Sequence, residues 1–261
     1  METHTATTIA PPPRRRRLRR ALALLTAAIA MVGGTILAAP AAPAQADSCF
    51  TWQRTLRAGD TGSDVRELQI RVAGWSGYRT NLAIDGSFGP ATTTAVRNFQ
   101  QAYGLQVDGV VGPQTRATID DLQDPDCSPA HFSWSEVDAG CGQGGYAGGS
   151  VGAATVRQNL LRAMWRAEAL RHRLGDRPLT VTSGFRSQAC DRRVGGSGTG
   201  QHTYGRALDL VGGGGQSFCQ IALAARYTSN TVILGPGYPN HNDHIHVDNG
   251  GNTWSAPRCG I

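Results

Sequence analysis

Lysine is absent from this chain, so every fixed side-chain cation is an arginine. That excludes a lysine nucleophile, a Schiff base and the lysine that completes a phosphate-binding loop. The Gly-rich tract from Gly140 to Gly152 therefore reads as an irregular loop around Cys141. Cys-x-x-Cys pairs are also missing, which argues against zinc held by thiolates. There is no long unbroken apolar run either. The stretch from Ala21 to Ala39 is interrupted by Gly33 and Gly34 and followed by Pro40, which argues against a retained membrane anchor.

That stretch has a different use. Six arginines between Arg14 and Arg20 precede it, and Ala44-Gln45-Ala46 follows with the small residues of an export cleavage site. Residues 1–46 thus read as a signal peptide, the mature chain beginning near Asp47 and acting outside the cell or at its wall. Arg19-Arg20 leaves both the general and the twin-arginine route open. Six arginines and one acid, Glu2, leave with the signal, so the formal +6 falls to about +1. The high pI is an export feature, and nucleic acid as a partner loses its main support.

Six cysteines remain: Cys49, Cys127, Cys141, Cys190, Cys219 and Cys259. An even number in a secreted chain reads as a disulfide framework. Sequential pairing (49–127, 141–190, 219–259) keeps each bridge inside one expected domain.

The expected organisation is a small domain at 47–123, a linker at 124–130 and a second domain at 131–261. The first contains a pseudo-repeat. Asp85-Gly86-Ser87-Phe88-Gly89-Pro90-Ala91-Thr92 recurs as Asp108-Gly109-Val110-Val111-Gly112-Pro113-Gln114-Thr115. Asp-Gly signals a tight turn, and proline after glycine opens a helix where its missing N–H costs little. Helical spacing follows each copy, through Ala95, Val96, Phe99 and Tyr103, then Thr115, Ile119 and Leu122. An earlier helix carries Val65, Leu68 and Val72, with Ser63 as its capping candidate. Asp124-Pro125-Asp126-Cys127-Ser128-Pro129 is linker chemistry.

Leu56-Arg57-x-Gly59-Asp60-x-Gly62-x-Asp64-Val65-x-x-Leu68-Gln69, the two Asp-Gly turns and Phe99-Gln100 resemble the three-helix peptidoglycan-binding domain of bacterial cell-wall hydrolases. The resemblance implies an all-α domain that holds the protein on the wall polymer.

The second domain reads as α+β around a small antiparallel sheet. A long helix is expected over Ala154 to Arg173 and another over Gln216 to Arg226. Strands are expected at Leu179 to Thr182, Ala207 to Val211, Thr231 to Leu234 and Ile245 to Val247.

Two segments here offer metal ligands. His202 lies in a Gly/Ser-rich loop, and Asp209 sits between Leu208 and Leu210, where a carboxylate is costly unless it meets a cation or hydrogen bonds. His244 and His246, two apart on an expected strand, project from one face, with Asp243 beside them. Imidazoles with a carboxylate are the donor set of an open, three-ligand zinc site, one ion per chain.

Gly200-x-His202-x-x-Gly205-x-Ala207-x-Asp209, then Asp243-x-x-His246, with Ser183-Gly184-Phe185-Arg186-Ser187 upstream, resembles the zinc D-alanyl-D-alanine carboxypeptidases. Gly200 stands where that family has serine. The resemblance implies zinc on His202, Asp209 and His246, with Asp243 as general base. It places His244 and Arg186 at the developing oxyanion, Arg186 also being suited to a substrate carboxylate. Rival readings stay open: Asp243 as a turn cap, Arg186 as a surface ion-pair partner, and His244 as a ligand with Asp209 behind it. Asp248 is expected to orient a neighbour or end its strand, and His241 to be a spare loop histidine.

The implied activity is removal of terminal D-alanine from peptidoglycan stem peptides. The alternatives are a zinc endopeptidase cutting cross-links, or a non-catalytic wall binder. No long heptad pattern suggests an oligomer, and a monomer is expected.

Overall fold

Seven α-helices and five strands succeed one another through the residues that the computed structural model describes, 49–138, 141 and 145–261. The expected signal peptide lies outside these residues. The helices are α1 (Ser63–Arg71), α2 (Pro90–Ala102), α3 (Pro113–Asp121), α4 (Trp134–Val137), α5 (Ala153–Arg173), α6 (Gln188–Arg193) and α7 (Phe218–Ala225). The strands are β1 (Leu179–Ser183), β2 (Leu208–Gly212), β3 (Val232–Leu234), β4 (Ile245–Asp248) and β5 (Thr253–Ser255).

In the first half, Pro90 and Pro113 start α2 and α3 behind Gly89 and Gly112. Helix α1 begins differently from expectation. Gly62, not Ser63, is its N-cap, because the Gly62 N–H bonds to the Gly86 carbonyl at 2.9 Å and φ there is 138°. The pseudo-repeat is a repeat of hydrogen bonds as well as of letters. Buried Gln69 donates to Asp85 (2.8 Å), the Ser87 carbonyl (3.1 Å) and Thr92 (3.1 Å), and accepts from Gly86 N–H (2.8 Å). Buried Gln100 donates to Asp108 (2.9 Å), the Val110 carbonyl (3.0 Å) and Thr115 (3.2 Å), and accepts from Gly109 N–H (2.8 Å). Each glutamine amide thus saturates one Asp-Gly turn, which is why a polar side chain survives in so small a core. That core gathers Val65, Leu68, Val96, Phe99 and Ile119.

The second half forms a five-stranded sheet in the order β1-β2-β4-β3-β5. Its pairings are antiparallel except for β3 with β5, so the sheet is mixed rather than wholly antiparallel. Strand β5 was not expected. Both edges of β4 are already taken by β2 and β3, so the chain returning through Gly250 and Gly251 pairs with the free edge of β3, which runs the same way. Leu208, Leu210, Ile245 and Val247 share a core with Leu160, Met164, Ala167 and Leu170 of α5 and with α7. The alternate residues of β2 and β4 face away from those helices.

Helix α5 serves both halves. Its Trp165 and Ala169 belong to the first core, while Leu161 packs against both. A Cβ on Gly74 would stand 2.4 Å from that of Ala169, so only glycine admits this approach of residues 73–75 to α5. Arg162 reaches Asn81 Oδ1 (2.7 Å), Ser229 bonds Ser76 and the Ala73 carbonyl, and Tyr103 stacks on His172 with centroids 4.4 Å apart. Residues 124–130 are hydrogen-bonded rather than extended, with Asp124 N–H on Ser128 O (2.9 Å) and Ala130 N–H on Leu122 O (2.8 Å). All described residues fall in one compact unit. Disulfides join Cys49 to Cys127, Cys141 to Cys190 and Cys219 to Cys259.

Candidate metal centre

Strand register builds the site. Asp209 of β2 lies directly opposite His246 of β4, and Ser183 of β1 lies opposite Asp209 on its other side. Directly opposed residues project to one face, so the alternation that buries Leu208 and Leu210 aims Asp209 at His246. His202 joins them from a short 3-10 turn, Gln201–Tyr204. All three are nearly buried.

Their donor atoms converge. His246 Nδ1 is 2.9 Å and His202 Nε2 3.2 Å from Asp209 Oδ1, and the two nitrogens are 3.2 Å apart. Ligand atoms about 2.1 Å from a tetrahedral ion stand roughly 3.4 Å apart, so the trio is already close to the spacing zinc requires. The outer nitrogens are held as well. His202 Nδ1 donates to the Gly184 carbonyl at 2.6 Å, and His246 Nε2 meets Asp248 Oδ2 at 2.8 Å. Those bonds leave Nε2 of one ring and Nδ1 of the other facing inward as lone-pair donors. Residues and spacing both fit zinc. Gly184 is itself fixed by crowding, since a Cβ there would lie 2.5 Å from the Val137 carbonyl oxygen.

Electrostatics match this geometry. Burial alone would raise the Asp209 carboxyl, but the His202 and His246 imidazoles outweigh it and hold it well below the usual carboxylate range. Burial would lower His246, yet Asp209 and Asp248 raise it to about 9, so a proton must leave Nδ1 before that nitrogen can serve as a lone-pair donor. Asp209 Oδ2 also accepts from Arg186 at 2.6 Å.

Arg186 is more engaged than an exposed arginine. Its Nε donates to Ser183 Oγ (2.8 Å), its NH2 to Asp209, and its NH1 stands 3.6 Å from Asp191 Oδ1. Asp191 is buried and accepts the Gly198 N–H at 2.9 Å, tying the arginine to the loop that leads into His202. Sequence reasoning missed Asp191. Its only signal is an acid next to Cys190, which gives no hint of the arginine beyond it.

Asp243 and His244 stand at the rim. Asp243 is largely exposed, and its Oδ1 accepts from His244 Nδ1 at 2.8 Å. That bond holds Asp243 below the ordinary carboxylate range. His244 Nε2 is 3.6 Å from Asp209 Oδ1. His241, set aside in the sequence, packs its ring against His244 (4.9 Å) and His246 (5.7 Å). A Cβ on Gly200 would meet only Asp191 Oδ2, at 3.8 Å, and nothing in the structure explains why glycine stands there.

The His-Asp-His trio beside an Asp-His pair is the arrangement of a hydrolytic metal site, and the comparisons agree. Residues 130–248 match the family described as Peptidase M15. The zinc D-Ala-D-Ala carboxypeptidase of Streptomyces albus G is 51% identical over 247 residues, covering 92% of this chain and 96% of that protein. The chain belongs to the M15 peptidase family. Residues 61–119 match a peptidoglycan binding domain. Shorter matches include a spore cortex-lytic enzyme of Halalkalibacterium halodurans, 45% identical over 67 residues, covering 26% of this chain and 20% of that protein. Another is the N-acetylmuramoyl-L-alanine amidase CwlL of Bacillus licheniformis, 38% identical over 65 residues, covering 23% and 18%. The first is cortex-lytic by name and the second an amidase, and neither match reaches a third of either chain.

Asp248 offers a test within this M15 peptidase. Replacing it with alanine is expected to weaken zinc binding about 10- to 100-fold, because the His246 ring loses the group that orients it. Competition with a chromophoric chelator measures this directly, and affinity equal to the parent protein would remove Asp248 from the site.

Proposed function

We propose that this protein is a secreted zinc D-alanyl-D-alanine carboxypeptidase that trims the stem peptides of peptidoglycan. The observation that carries the reading is the inward convergence of His202, Asp209 and His246 beside an ionised, accessible Asp243. The identity with the Streptomyces albus G enzyme, extending over nearly the full length of both chains, supports the substrate.

His202 Nε2, Asp209 Oδ1 and His246 Nδ1 would hold the zinc. When bound, zinc supplies a Lewis acid for the scissile carbonyl and makes water acidic enough to attack near neutral pH. Asp243 takes the proton of the attacking water and returns one to the departing D-alanine amine, as a single exposed carboxylate can do in turn. His244, oriented by its Nδ1 bond to Asp243, turns Nε2 toward the ligand set, where a donor meets the charge developing on the carbonyl oxygen. Arg186 holds Asp209 Oδ2 through NH2, leaving Oδ1 turned toward His202 and His246, while its NH1 stands against Asp191.

The first half is read as the wall-holding domain, the mature protein as a monomer starting near Asp47, and the working compartment as the extracellular wall. Three disulfides suit an oxidising compartment. Among the described residues no helix is long and apolar enough to cross a membrane.

Mass spectrometry of muropeptides incubated with the zinc-loaded protein tests this. The expected outcome is loss of one alanine from pentapeptide stems, abolished by a chelator and restored by zinc. Release of cross-linked partners with pentapeptide ends intact would replace the carboxypeptidase by an endopeptidase.

A further inference from the structure

Three guanidinium groups lie over aromatic rings on one exposed face. Arg79 is 4.4 Å from the centroid of Trp254, Arg173 lies between buried Trp75 (5.2 Å) and Tyr227 (5.6 Å), and Arg226 is 5.9 Å from Tyr78. The rings touch one another, Tyr78 with Tyr227 at 5.1 Å and with Trp254 at 5.2 Å. Tyr78 is 49% exposed and Tyr227 40%. Arg173 continues the face to Arg177, the two lining a surface pocket of about 420 Å³ with Gln216, Gln220 and Leu223 of the α7 side.

Cation–π attraction holds a guanidinium over a ring but leaves its N–H fork free for carboxylate or phosphate. Among the described residues none of these four arginines is paired with a carboxylate. The nearest acid in sequence, Asp176, is committed to Arg171 and His172, each at 3.0 Å. Arg226 uses Nε on the Leu223 carbonyl (3.3 Å) and keeps its other donors. For a mature chain of about +1, four unneutralised cations on one face are a marked segregation of charge. Arginine and tyrosine are also enriched among the side chains that dominate binding at interfaces.

The platform is composite. Tyr78 and Arg79 come from the first half, the other residues from the second, and the two are locked by the Gly77–Thr228 bridge and by Arg79 N–H on Arg226 O (3.3 Å). It borders α5 and α7, whereas Asp209 and His246 face away from those helices. It therefore cannot touch the peptide bond at the metal centre.

We propose that this arginine–tyrosine platform docks the peptidoglycan polymer itself, stem-peptide carboxylates entering the arginine forks and sugar rings lying against Tyr78 and Tyr227. The proposal rests on the wall-peptidase reading above. It adds a second grip, remote from the zinc, that exists only where the two halves meet. Among wall anions the choice falls on stem carboxylates because they belong to the polymer this protein trims.

The test is co-sedimentation of the full mature protein with purified sacculi stripped of phosphate-bearing polymers, at low salt. The triple variant Arg79→Gln/Arg173→Gln/Arg226→Gln is expected to bind about tenfold more weakly while cutting a soluble D-Ala-D-Ala peptide at the parent rate. Should the triple variant misfold, shown by loss of that soluble activity, Arg177→Gln decides, with an expected weakening of about two- to threefold. Arg177 is exposed, so its replacement leaves the fold alone. Parent-level binding by the folded variants overturns the platform. Weakening seen only on walls that keep their phosphate polymers overturns the assignment to stem carboxylates. If the parent protein fails to cut the soluble peptide, the carboxypeptidase reading fails, and the sacculus measurement still judges the platform.

Discussion

Asp243→Asn is expected to lower turnover of a D-Ala-D-Ala peptide by about 10²- to 10⁴-fold while the protein keeps its zinc. Asparagine preserves the size of the side chain and an oxygen for His244 Nδ1, 2.8 Å away in the parent protein. What it removes is the capacity to take a proton. The carboxylate is well placed for that task, because it is 89% exposed and its bond to His244 holds it ionised. It makes no hydrogen bond to Asp209, His202 or His246, so the metal has no reason to leave with it. Turnover and metal content, measured on the same sample, separate the outcomes. Parent-level turnover would remove Asp243 from the reaction, and loss of zinc would make it a structural neighbour of the site.

Asp209→Ala should act on the metal itself, reducing zinc affinity by more than about a hundredfold and abolishing turnover with it. Removing an ionised carboxylate from water costs several kcal/mol, and here that cost is offset by three cationic or hydrogen-bonding neighbours. They are Arg186 at 2.6 Å, His246 at 2.9 Å and His202 at 3.2 Å. Without the carboxylate, two imidazoles remain as donors and the Arg186 guanidinium stands beside them with Asp191, 3.6 Å from NH1, as its remaining carboxylate partner. A cation then repels the ion that the trio would hold. Titration with zinc followed by competition against a chelator gives the affinity. Stoichiometric zinc retained by the alanine variant at parent affinity would mean that Asp209 is not a ligand.

Much of this architecture was legible in local pattern. Gly-Pro pairs marked the starts of α2 and α3 because proline fits a helix's first turn and nowhere later. Helix α5 was expected from Ala154 and runs from Ala153, and four of the five strands fall within a residue or two of their expected bounds. Strand β5 was not legible, since Thr253–Ser255 is short, partly exposed and lacks the apolar run Val232-Ile233-Leu234 that marks the equally short β3. The opening of α1 was misjudged for a related reason. Ser63 looks like a cap in isolation, but the Gly62–Gly86 hydrogen bond, made to a residue far along the chain, sets the backbone there.

At the site the division is similar. An acid between two leucines, a histidine in a glycine-rich loop and an Asp-His-Ile-His run are statements about composition and spacing, and they named His202, Asp209, Asp243, His244 and His246 from the sequence. They did not distinguish which imidazole nitrogen faces inward. That depends on the Gly184 carbonyl and on Asp248, and only the folded chain brings either to its ring. Nor did they give Arg186 its partners, or bring Asp191 and His241 to the site, since those contacts cross from one loop to another.

By itself, the sequence determined the chemistry available to this protein: its donor types, the absence of lysine, a cysteine framework and a repeated Asp-Gly turn. Those are properties of residue identity and short-range spacing, which local sterics and solvation read directly. Tertiary structure alone decided how that chemistry is aimed. The register that sets Asp209 against His246, the sharing of α5 between two cores, and the gathering of Tyr78, Arg79, Arg173 and Arg226 on one face are long-range contacts. Each follows from the joint packing of segments distant in the chain, a quantity that no single segment's pattern contains.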